Sequence, residues 1–222
     1  MASPGAQPAA SLILMRERRA APPEILVVRR SESLVFAAGA YVFPGGRVDP
    51  GDVAAASARY GAGADAVADA AARIAALRET HEETGIAAAA RVADLIPFAR
   101  WRAPAEAPRR FDTRFFLAPA VDDAADPVAD GIESSAAFWA SAQAVLDDCA
   151  TGRGHAIFPT RRLLERLAQF GSFAEARDQA LRLPGRIIEP WIEQRQDGAW
   201  LCIPPDAGYP VTAELLARTA RF

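Results

Sequence analysis

Arg78-Glu79-Thr80-His81-Glu82-Glu83-Thr84-Gly85-Ile86 is the stretch on which the fold of this 222-residue chain turns. Its carboxylates Glu79, Glu82 and Glu83 stand at spacings i, i+3 and i+4, which share one face of an α-helix. Three like charges crowded together cost free energy unless a cation sits among them. A hard divalent ion such as Mg²⁺ or Mn²⁺ takes oxygen ligands and meets that need. Taken alone, the same spacing also describes a solvated acidic face. The pattern predicts a helix over 65–84, with Gly85 as its C-cap and Arg78 paired to Glu82 one turn on.

Upstream stands Tyr41-Val42-Phe43-Pro44-Gly45-Gly46-Arg47-Val48-Asp49-Pro50-Gly51-Asp52. A short apolar run ends in a Pro-Gly-Gly turn. Gly45 and Gly46 let the backbone itself approach a ligand, and a carbonyl at Gly46 could serve as a further metal ligand.

Together the two segments resemble the signature of the Nudix hydrolases, G-x5-E-x7-R-E-U-x-E-E-x-G-U with U aliphatic. From Gly46, five residues lead to Asp52, where the family has Glu. The closing half, from Arg78 to Ile86, matches at every charged and glycine position. Thr80 occupies an aliphatic site. The spacer of residues 53–77 has 25 residues against the family's seven, an insertion of 18. It contains Tyr60-Gly61-Ala62-Gly63-Ala64-Asp65, a loop between Ala-rich helical stretches, so the chain can loop out and return without moving the three acids. The resemblance implies an α/β/α sandwich on a mixed β-sheet, with metal on Gly46, Glu79, Glu82 and Glu83.

The long insertion is similar to that of a subgroup related to the coenzyme A diphosphatases. In that subgroup an Arg after a strand, then a Gly, precede Phe-Pro-Gly-Gly. Leu26-Val27-Val28-Arg29-Arg30, Gly39 and Phe43–Gly46 follow this order, which implies Arg29 or Arg30 on a substrate phosphate and Gly45 beside the substrate. Arg110-Phe111-Asp112-Thr113 resembles another segment of the subgroup and implicates Arg110 or Arg114. Arg100-Trp101-Arg102 and Arg109–Phe116 form the chain's densest basic and aromatic cluster. Trp101 or Phe111 there could stack on a base, while Phe115 and Phe116 read as core. Nudix enzymes often draw one more carboxylate from outside the signature, and Glu133 is the candidate here, as base or metal ligand.

The remaining chain bounds the function. A net charge of −3 argues against a general nucleic-acid binder, though not against a nucleotide substrate. All 25 basic residues are arginine, so any cationic contact to phosphate uses a planar bidentate fork. Cys149 and Cys202 are too few for a disulfide framework or a zinc site. No apolar span is long enough for a membrane helix, and the first residues carry no basic leader, so the expectation is a cytoplasmic protein.

Residues 1–9 read as a flexible tail and 10–222 as one domain, with an insertion at about 53–70 and a C-terminal extension from about 150. Strands are expected at 10–18, 24–30, 95–102, 114–119, 135–139, 186–192 and 199–203. Helices are expected at 53–60, 141–149, 160–170, 174–182 and 212–220. The expected reaction is metal-dependent hydrolysis of a diphosphate linkage in a small nucleotide-type substrate. The resemblance points to coenzyme A or an acyl-CoA, with ADP-ribose or dinucleoside polyphosphates as alternatives in the same class. A non-catalytic nucleotide-sensing module is the reading of another class, and the intact acids argue against it. A homodimer is compatible with the C-terminal extension.

Overall fold

The computed structural model describes residues 5–34, 37–61, 63–104, 110–121, 125–183 and 186–219. Arg109, Phe36 and Ala220 lie outside the described residues.

Strand β1 (Gln7–Arg16) is buried from Ala9 to Met15 on both faces, as a central strand covered on two sides must be. From Gln7 to Met15 it pairs in parallel with β6 (Phe111–Pro119). On its other side the partner changes. Met15 and Arg16 pair with β2 (Glu24–Arg30), whereas Ala9 to Ser11 pair with β4 (Gly45–Arg47). β3 (Tyr41–Val42) and β7 (Ser134–Ser141) both pair with β2. Beyond β6 the sheet continues with β5 (Ile96–Arg102) and β8 (Ile187–Ile188).

Helix α2 (Ala64–Thr84) covers one face. Its Ala72, Ala75 and Ala76 pack against Leu12, Leu14, Leu26 and Phe116, and their small side chains let helix and sheet approach closely. Helices α3 (Ala142–Ala150), α4 (Phe158–Leu167) and α5 (Phe173–Arg182) cover the other face. There Val145, Phe158, Leu163, Leu164 and Ala176 join Ile13, Met15, Phe115 and Leu117. This is an α/β/α sandwich on a mixed sheet. The insertion forms most of helix α1 (Pro50–Tyr60) and the first turns of α2, with Ala56 packed on Ala70 and Ala71.

Several expectations are corrected. The strand begins at Gln7, inside the stretch expected to be a tail, because its first residues pair with Phe111 to Thr113. β6 likewise starts at Phe111, and α1 starts at Pro50. The strand expected at 186–192 divides into β8 on the main sheet and β9 (Trp191–Arg195), which with β10 (Gly198–Cys202) and β11 (Ala213–Leu215) forms a second, antiparallel sheet. The terminal helix expected over 212–220 is instead β11 and a 3₁₀ turn at Leu216–Arg218. Pairing of Leu201 with Glu214, and the ion pair of Glu214 with buried Arg162, override a favourable local helix propensity.

Candidate active site

The change of partner along β1 opens the sheet, and a cleft of about 850 Å³ lies there. Its walls include Ala9 to Ser11 of β1, Gly45 to Arg47 of β4, and Arg78, Glu79 and Glu82 of α2. Glu133, just before β7, closes another side.

Arg78 organises the acids. Its Nε and Nη2 donate to the Asp52 carboxylate at 3.2 and 3.0 Å. Its Nη1 donates to Glu79 at 3.0 Å and to Glu82 at 2.8 Å, and Nη2 reaches the Arg47 carbonyl at 3.2 Å. These acceptors, Asp52 foremost, hold the guanidinium in its charged form. Asp52 is buried, and its Oδ2 also accepts the Asp49 N–H at 2.9 Å, which ties it to the first turn of α1. The shorter acid therefore reaches Arg78 despite the 18 extra residues between them.

The three signature acids occupy different environments. Glu82 is exposed, Glu79 is half-buried, and Glu83 is 4% exposed, with its Oε2 accepting the Gly45 N–H at 3.1 Å. Burial pushes the Glu83 carboxyl up to about 8, helped by the negative charge of Glu79 and opposed by the Gly45 hydrogen bond. Burial also raises Glu79, against the pull of Arg78. A Cβ on Gly46 would lie 2.4 Å from the Glu79 carboxylate, so a larger residue there would push that side chain out of its present position. Thr80, at the family's aliphatic site, is fully buried. Its hydroxyl donates to the Ala76 carbonyl at 2.7 Å, so the polar atom is satisfied within the helix.

Among the described residues, no three His, Cys, Asp or Glu side chains are gathered into a ready metal-ligating cluster. Arg78 spans Glu79 and Glu82 instead. The donor set still suits a hard cation: carboxylate oxygens crowd one turn of α2, and two of these acids are disfavoured as anions by their surroundings.

The other expected residues divide. Arg30 faces the cleft, whereas Arg29 pairs with Glu32 at 3.4 Å, as alternation along β2 requires. Gly45 lines the cleft. Trp101 does not: it is 3% exposed, donates from Nε1 to the Tyr209 hydroxyl at 2.9 Å and packs edge-on against Phe158. Arg110 and Arg114 are also absent from the cleft wall. Arg114 lies 3.6 Å from Asp69 in a separate depression beside Arg100. Arg100 and Arg102 both clamp the buried Asp112, at 2.7 and 2.9 Å. Asp112 thus holds two arginines of the basic cluster away from the cleft. Residues 111, 113 and 115 of β6 turn towards the cleft, and the arginine at 114 turns away.

Sequence reasoning missed Arg47, which lines the cleft and forms no ion pair among the described residues. Its place directly after the Gly-Gly turn was the available signal. It also missed Ile157 and Thr160, from the start of α4, for which no local motif speaks.

Neither the models of known protein families nor the curated proteins give a match to this chain. Solved structures do. A Nudix hydrolase from Alicyclobacillus acidocaldarius is 28% identical, with a TM-score of 0.67 over 78% of this chain and 96% of its own. A MutT protein from Methanosarcina mazei Go1 is 21% identical, with a TM-score of 0.47 over 74% of this chain and 94% of its own. Over most of both chains the protein shares the fold of the Alicyclobacillus Nudix hydrolase, with acids of α2 lining its cleft.

Proposed function

We propose that the chain hydrolyses the diphosphate linkage of coenzyme A or an acyl-CoA, releasing 3′,5′-ADP and (acyl)phosphopantetheine. The observation that supports diphosphate chemistry is one cleft that sets Glu79, Glu82 and Glu133 against Arg30, Arg47 and Arg78. Acids and arginines in one water-accessible cleft suit a polyanion that arrives with hard cations. Glu79, Glu82, Glu83 and the Gly46 carbonyl would hold Mg²⁺ or Mn²⁺. When bound, such an ion neutralises phosphate oxygens and lowers the pKa of a water.

The chain's own groups do the rest. Arg78, anchored on Asp52, fixes the orientation of Glu79 and Glu82. Arg47 and Arg30 pair with phosphate oxygens outside the scissile bond. Glu133, or Glu79, accepts the proton of the attacking water. Phe111 offers a ring face to a base.

A turnover panel with Mg²⁺ and with Mn²⁺ tests this, read by product mass. It holds coenzyme A, acetyl-CoA, a long-chain acyl-CoA, ADP-ribose, diadenosine polyphosphates and nucleoside triphosphates. Selective formation of 3′,5′-ADP supports the coenzyme A reading. Activity confined to ADP-ribose or dinucleotides discards that substrate and keeps the chemistry. Undiminished turnover by Glu82→Gln would remove the metal assignment.

A further inference from the structure

We propose that the N-terminal end of α4, with Thr160, is a subsite for a phosphate monoester that the substrate carries in addition to its diphosphate. The inference rests on the reading of the cleft as a nucleotide-diphosphate site. Two observations support it independently.

The first is the end of the helix. α4 begins after Ile157, which brings no side chain to cap it, and its first turn contains Pro159. Ile157 and Thr160 line the cleft, so this end of α4 opens onto it. The first N–H groups of a helix lack intrahelical acceptors, and the helix dipole places partial positive charge there, so the end of a helix of this length attracts an anion.

The second is Thr160 itself. It is 5% exposed, yet neither its hydroxyl nor its backbone N–H donates to any partner among the described residues. The other buried threonines differ: Thr80 and Thr84 both donate to the carbonyl four residues back. A polar side chain this deeply placed normally finds a partner, and Thr160, which lines the cleft, finds it in what the cleft holds. Thr160 can give two donors to one oxyanion, the hydroxyl and the N–H. The acids lie on α2 and before β7, whereas this donor set lies on α4, so anhydride and monoester would meet different walls. Substrates are thereby ranked: a nucleotide with a ribose phosphate beyond its diphosphate gains contacts that its dephosphorylated counterpart lacks.

The test is calorimetric titration of the protein and its Thr160→Val and Thr160→Ser variants, in Mg²⁺, with 5′-AMP and with 3′,5′-ADP. These probes differ by one phosphate monoester. Valine keeps the shape of threonine and removes the hydroxyl; serine keeps the hydroxyl. The unmodified protein should prefer 3′,5′-ADP by about tenfold or more, the scale of hydrogen bonds to a charged group. Thr160→Val should lose most of that preference and Thr160→Ser should keep it, with melting temperatures confirming that both variants fold. No preference in the unmodified protein, or an unchanged preference in Thr160→Val, overturns the proposal. Turnover of coenzyme A against dephospho-coenzyme A separates this subsite from the activity. A preference that follows Thr160 in a protein that hydrolyses neither leaves the subsite standing and sinks the assigned reaction.

Discussion

At the scale of single residues, Asp52 and Glu83 contribute most to the geometry of the acidic helix. Asp52 was legible as the counterpart of a family glutamate, but its partner was not, since nothing in a linear pattern says which side chain a buried acid will meet. Asp52→Asn keeps the size and removes the charge that anchors Arg78. We expect kcat/KM to fall about 10–100-fold, the range for a residue that orients ligands from behind, and stability to fall by about 1–3 kcal/mol. Steady-state kinetics and urea denaturation check both. Glu83 makes a separate prediction about pH. Its carboxyl stands at about 8 in the folded protein, above its ordinary 4.5. Between those values the unfolded chain is ionised at this group and the folded chain is not, so folding takes up a proton. Stability of the metal-free protein should therefore fall as pH rises from about 5 to 8, by a few kcal/mol from this group. Glu83→Gln should flatten that slope, and saturating Mg²⁺ should flatten it in the unmodified protein. Melting curves at pH 5, 6.5 and 8 decide; an equal slope in Glu83→Gln would show that other groups set it.

At the scale of elements, what could be read was whatever local periodicity and local punctuation determine. α2 announced itself by its acids and by Gly85, which has φ 68° and donates its N–H to the His81 carbonyl at 2.8 Å. A Cβ there would meet nothing within 4 Å, so the cost of substitution is backbone strain alone. Gly85→Ala should destabilise by about 1 kcal/mol with unchanged denaturant dependence, checked by urea titration. The ends of strands were read less well. β1 and β6 each extend further towards the N-terminus than their apolar runs suggest, because each supplies the other's hydrogen bonds there. The segment 213–218 has the composition of a helix and becomes strand and turn, because β10 offers an edge and Arg162 lacks full neutralisation without Glu214. Propensity weighs tenths of a kcal/mol per residue, and two such partners outweigh it.

At the scale of the whole molecule, residues after about 150 do more than decorate the sheet. Leu201, Ile203 and Tyr209 share one apolar cluster with Ile13, Phe115 and Leu163, and β8 is hydrogen-bonded to β5. The reassignment of Trp101 from substrate to core follows from this, since its partner Tyr209 lies 108 residues away and no sequence spacing could reveal it. If this packing couples the two regions, the second sheet cannot melt while the first stays folded. Unfolding followed by Trp fluorescence, which reports Trp101 and Trp139 of the main sheet together with Trp191 and Trp200 of the second, should coincide with unfolding followed by far-ultraviolet circular dichroism, in one transition. The same bond allows a sharper test. Tyr209→Phe keeps the ring that packs edge-on against Trp101 and removes only the oxygen that accepts the indole N–H. The indole then stays buried with an unpaired donor, which costs about 1–3 kcal/mol. The loss should appear as a lower midpoint for both probes at once, with the slope of the transition unchanged. A shift confined to one probe would mean that the C-terminal sheet unfolds on its own, and that α4 and the cleft wall it carries are held by the main sheet alone.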